Sequence, residues 1–172
     1  YQALLSDLQI FFIVTFCMII ILFSLAYKMF MISILAIISI MLNIVWYLGI
    51  STFFVGEYNI MLVMTCMILM GLGISFTSHI FCGYTEKRYQ GFNVQLSITE
   101  TLLKIGPGIM IGGLSTGIAL IMFMISDTYV ISQFGLLTGT GIIIITITTI
   151  VILPVILAVY ERIRKNIDYK FN

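Results

Sequence analysis

Between Leu8 and Ser51 the chain has one charged side chain, Lys28, and between Tyr58 and Tyr84 its only candidate for a charge is His79. Apolar runs of this length are what a lipid bilayer demands, because a spanning helix needs about 20 residues at 1.5 Å each. Charged residues make up 9% of the 172 and hydrophobic residues 61%. A water-soluble domain carries about a quarter charged, so this chain cannot cover itself with a water-compatible surface. Backbone polar groups have no partner in hydrocarbon, so each span must be helical. That overrides the β signal of the run Ile142–Ile150, where threonines can bond back to carbonyls of the preceding turn. The expected fold is an all-α transmembrane helical bundle.

Five spans are expected. The first stretch exceeds one helix and divides at Tyr27-Lys28, giving about 8–26 and 29–50. Gly56-Glu57 breaks the next join, and a third span covers about 59–83. A polar connector at about 84–104 follows, then spans at about 105–125 and 134–159, separated by Ser126-Asp127-Thr128. In the connector, Val94, Leu96, Ile98 and Leu102-Leu103 alternate with polar residues, the pattern of a helix lying at the interface. Glu100 and Lys104 stand four apart, in the favourable order for a helix ion pair.

Basic residues orient such a protein. With the N-terminus outside and the C-terminus cytoplasmic, all eight Lys and Arg fall on the cytoplasmic side, and the outer ends hold only Asp7, Glu57 and Asp127. The whole reads as one transmembrane domain, 1–172. It opens at Tyr1 without Met or leader pattern, as an excerpt of something longer would.

Small residues concentrate in the last three spans: Gly71 and Gly73; Gly112, Gly113 and Gly117; Gly135 and Gly139. They let helix backbones approach closely, so spans three to five are expected to form an inner cluster, with the first two facing lipid more. Pro107 near a helix start costs little, and Pro154 is expected to kink the fifth span. Cys17, Cys66 and Cys82 have no paired spacing and read as small packing residues.

The stretch Gly71-Leu72-Gly73-Ile74-Ser75-Phe76-Thr77-Ser78-His79, followed by Tyr84-Thr85-Glu86-Lys87-Arg88, resembles the fourth helix and following loop of RND-superfamily exporters. The likeness is to the MMPL and hydrophobe/amphiphile-exporter branches, whose pattern is Gly-x-Gly-x-Asp-Tyr-x-x-His. Gly113-Leu114-Ser115-Thr116 through Ile125-Ser126 resembles the family's fifth helix. Phe134-Gly135-Leu136-Leu137 and Leu153-Pro154-Val155 resemble the ends of its sixth. The match is good over 58–160 and rests on helix count alone over 7–56. It implies helices two to six of one RND half, with the first helix and an extracytoplasmic domain upstream and a second half downstream. One residue departs. The buried Asp that the resemblance implies as proton carrier is Ser75 here, and a hydroxyl does not titrate near neutral pH.

His79 lies one turn beyond Ser75 and is the only titratable imidazole of the chain. An imidazole can exchange protons, and an ionisable group within a membrane is a functional suspect; the plainer reading is an interfacial, hydrogen-bonded His. Ser75, Thr77, Ser78 and His79, with Ser115 and Thr116 on the next span and Thr138 and Thr140 on the last, are expected to form a polar, uncharged seam. One His without a Cys or carboxylate cluster gives no usual metal site. No phosphate-binding Gly-x-x-x-x-Gly-Lys occurs. The expectation is therefore a non-enzyme without metal or cofactor, multi-pass in the inner (cytoplasmic) membrane, with no nucleic-acid partner. Expected partners are membrane lipids, the rest of its own RND chain or second half, and an oligomeric or periplasmic partner. The implied function is export of lipids or other amphiphiles driven by the proton-motive force, the acid being elsewhere. A non-transporting, sterol-sensing-like or scaffold module is the alternative.

Overall fold

The computed structural model describes residues 13–18, 20–21, 30–53 and 60–171. Four long helices run through them in order: α1 (Phe30–Ser51), α2 (Ile60–Tyr89), α3 (Val94–Ile121) and α4 (Tyr129–Phe171), with a short 3-10 segment, Met122–Ile125, closing α3. Residues 13–18 and 20–21 are also helical. The rest of the expected first span, the break at Gly56-Glu57 and the Lys28 junction lie outside the described residues. The chain clusters into two units, Tyr1–Ile38 and Ser39–Asn172, and the helix packing belongs to the second.

No strand occurs among the described residues. Four helices are long and apolar enough to cross a membrane, and the architecture is the expected all-helical one. Threonines of the Ile/Thr-rich run bond back as expected, Thr146 donating to the Ile142 carbonyl at 2.6 Å and Thr148 to that of Ile144 at 2.9 Å; Thr140, just before the run, does the same to Leu136 at 2.6 Å.

The connector takes a different form from the one expected. α2 runs on to Tyr89 and α3 begins at Val94, so 84–104 is the extended ends of two spans joined by a tight turn, with no separate helix between them. Local chemistry explains this turn. Gly91 adopts φ +86°, a conformation that costs glycine nothing. Asn93 then caps α3, its side-chain oxygen accepting from the Leu96 N–H at 2.8 Å. Lys87 lies 5.2 Å over the Phe92 ring. Pro107 consequently falls inside α3, well past its start, and Pro154 inside α4.

Glycines decide how the helices meet. A β-carbon on Gly139 would lie 2.6 Å from the Gly117 carbonyl oxygen, and one on Gly135 2.5 Å from that of Leu120. Gly113 faces Thr146, and Gly73 faces Ile145. Backbone approach of this kind is how membrane helices gain packing energy without a hydrophobic drive between them. Gly113, Gly117, Gly135 and Gly139 thus line the α3–α4 seam. Gly71 and Gly112 do not pack: both are exposed, and a β-carbon added to either would meet nothing within 4 Å, because they point away from the bundle.

The close backbone contacts join α2, α3 and α4, the inner cluster expected of the last three spans. α1 is not simply lipid-facing. Ile40, Asn43, Ile44, Tyr47 and Ser51 form a buried stripe at helical spacing. Tyr47 enters the main core with Leu62, Cys66 and Leu69 of α2 and Leu137, Ile142 and Ile145 of α4. It fits because Gly141, 2.8 Å from its ring when given a β-carbon, leaves room. α3 packs closely on both α2 and α4 yet turns the most side chains outward, with 17% of its span buried against 39% for each of the others.

Candidate functional site

Two polar features stand out against the apolar packing. The first is an uncharged seam in the core between α1, α2 and α4. Asn43 donates from Nδ2 to Thr149 Oγ1 at 2.9 Å, and the Thr65 and Thr138 hydroxyls pair at 3.0 Å. Both pairs are fully buried. Ser39 Oγ, Asn43 Oδ1 and Thr77 Oγ1 are also buried and find no hydrogen-bond partner among the described residues. An unpaired polar group in an apolar interior costs about 1–3 kcal/mol.

This seam is not the one expected. Thr77 and Thr138 belong to it. Ser115 and Thr116 are exposed and bond back to the Gly112 carbonyl at 3.1 and 2.8 Å. Ser75 is exposed and Ser78 half-buried. Ser115 and Thr116 face outward because this part of α3 turns glycine, Gly113 and Gly117, toward α4; Ser97 and Thr101, nearer its start, are buried. The members that sequence reasoning missed, Ser39, Asn43, Thr65 and Thr149, lie in apolar runs, the first three singly and Thr149 beside Thr148. Asn43, the one amide within its span, was the available signal. Replacing Asn43 by Ala and Thr149 by Val, singly and together, should give a coupling free energy of about 0.6–1.7 kcal/mol in a double-mutant unfolding cycle.

The second feature is a cleft of about 370 Å³ between α2 and α3, lined by Ser75, Phe76, His79, Lys104, Ile105, Gly108 and Ile109. It brings Ser75 and His79 together, as expected from their one-turn spacing, and adds Lys104. The three polar side chains make no hydrogen bond or ion pair with any described residue. The expected Glu100–Lys104 pair is absent: Glu100 instead reaches across to Lys87 of α2, at 3.9 Å, because the tight turn sets those two helix ends side by side.

Charge gathers at this end of the bundle. Glu86, Lys87 and Arg88 close α2, Glu100 and Lys104 lie in the first turns of α3, and Glu161 and Arg162 lie along α4. Tyr84 donates its hydroxyl to Glu161 at 2.8 Å, tying α2 to α4. Asp127 stands at the opposite end, in the turn between α3 and α4.

No curated protein and no solved structure matches the chain. The MMPL family's sequence model matches residues 2–169, which takes in nearly the whole of every described helix. Long apolar helices, the glycine seam, and the ordered motifs around Gly71–His79 and Gly113–Ser126 agree with that match. The chain belongs to the MMPL family, a multi-pass membrane protein of RND-transporter type.

Proposed function

We propose that this chain is the membrane part of an RND-type exporter of lipids or other hydrophobic or amphiphilic substrates. It is driven by the proton-motive force, with its N-terminus outside and its charged end in the cytoplasm. The observation that carries the reading is the family match over 2–169. The titrating acid lies elsewhere, on a second half or a partner chain. Among the described residues, α2 has no carboxylate before Glu86, α3 none after Glu100 and α4 none before Glu161. Neutral hydroxyls and amides cannot load and release a proton near neutral pH. What these helices contribute is a closely packed wall and a polar cleft for an amphiphile's head.

Transport by the complete protein in proteoliposomes, with a fluorescent lipid and an imposed proton gradient, tests this. A protonophore is expected to lower the initial rate at least about tenfold, because it removes the driving force of about 2.3 kcal/mol per proton for each 100 mV. Lipid binding with no gradient-dependent movement would instead support the sterol-sensing-like or scaffold module, which the lack of a carboxylate within these spans favours.

A further inference from the structure

We propose that the α2–α3 cleft binds the phosphate headgroup of an anionic phospholipid from the leaflet at the charged end, with Lys104 and His79 as its polar contacts. The cleft lies at the right depth. Counting from Ile60, roughly 20 residues bring α2 to His79, and a similar count back from Ile125 brings α3 to Ile105, about 30 Å in each case. Both helices therefore cross one hydrocarbon thickness and arrive at the same boundary, and the cleft lies on it. Phosphates of a bilayer sit there.

The cleft also carries the right charge. Its lining holds an ammonium, an imidazole and a hydroxyl and no carboxylate. The acid nearest in sequence, Glu100, is one turn from Lys104 and is engaged by Lys87. Lys104, His79 and Ser75 are unengaged by other described side chains, so their donors are available to one acceptor. The larger groove of about 510 Å³ between α3 and α4 offers no such bias, since Glu161 and Arg162 both line it. Its shape suits a lipid as well. Phe76, Ile105 and Ile109 give the cleft apolar walls, and Gly108 adds no side chain to fill it. An acyl chain can descend along them while the head stays at Lys104, whose long stem can reach the interface.

Cargo and fixed structural lipid would bind here alike, so the test reads binding alone and does not depend on transport. The complete protein in neutral detergent would be titrated with short-chain phosphatidylglycerol, short-chain phosphatidylcholine and inorganic phosphate. Phosphatidylglycerol is expected to bind at least about fivefold more tightly than phosphatidylcholine, as befits one added basic contact. Lys104→Gln should remove about fivefold of that affinity, Lys104→Arg should retain it, and His79→Gln should weaken it further. Arg162→Gln, outside the cleft, should leave the preference intact. Millimolar inorganic phosphate should fail to compete. Equal affinity for the two lipids, or a preference untouched by Lys104→Gln, would overturn the proposal. Competition by inorganic phosphate as strong as that of the lipid would overturn the lipid source. Occupation of the cleft by an acidic side chain of a second half, seen by cross-linking at position 104, would overturn it in favour of a protein partner.

Discussion

Gly139→Ala is expected to lower the unfolding midpoint of the protein in detergent by about 5–10 °C, and Gly139→Leu to yield no monodisperse protein. The added methyl would stand 2.6 Å from the Gly117 carbonyl oxygen and 2.8 Å from the Ile121 nitrogen. Both obstacles are backbone, so no side chain can rotate away and the two helices must separate. Overpacking of this kind costs about 1–3 kcal/mol, here at the upper end, and each kcal/mol lowers the midpoint of a chain this size by a few degrees. Gly71→Ala and Gly112→Ala serve as controls. Each methyl meets open space, and alanine is the better helix former. Neither should lower the midpoint of this chain. Equal sensitivity at Gly112 and Gly139 would mean that the α3–α4 seam is wrongly placed.

Tyr47→Ala should destabilise the bundle by about 3–4 kcal/mol, measured as the loss of unfolding free energy in mild denaturant. The ring is 1% exposed and plugs the space between α1, α2 and α4 beside Gly141. Lipid outside the bundle is as apolar as the core, so the loss comes from broken contacts and a cavity rather than from water. Tyr47→Phe should cost less than about 1 kcal/mol, because the hydroxyl reaches the Leu137 carbonyl only at 3.4 Å. Trp46, next in sequence but 56% exposed, should tolerate alanine. A Tyr47→Ala variant as stable as Trp46→Ala would show that α1 does not seat in this core.

Much of the architecture was legible in the residues themselves. Lengths of apolar sequence announced spanning helices, and Ser126-Asp127-Thr128 marked the turn where Ser126 Oγ accepts from the Thr128 N–H at 3.3 Å. Gly113, Gly117, Gly135 and Gly139 announced the close α3–α4 approach. The motif around Ser75 and His79 pointed to the family whose model matches the chain. The α2–α3 connection was harder. Its alternating residues suit an interfacial helix as well as the end of a spanning one, and only Gly91 and Asn93, read together as a turn and a cap, separate the two.

Facing was what the sequence withheld. In water a helix advertises its buried side by an apolar stripe. These helices are apolar nearly all round, because lipid and core accept the same side chains. Nothing in the order of residues therefore says that Asn43 meets Thr149, that Ser115 and Thr116 turn outward, or that Tyr47 of α1 reaches into the core. By itself the sequence determined that the chain crosses a membrane as helices, since no other backbone satisfies its polar groups there. The tertiary structure alone decided which faces meet, because that depends on where missing side chains let backbones touch and which hydroxyls are then shut inside.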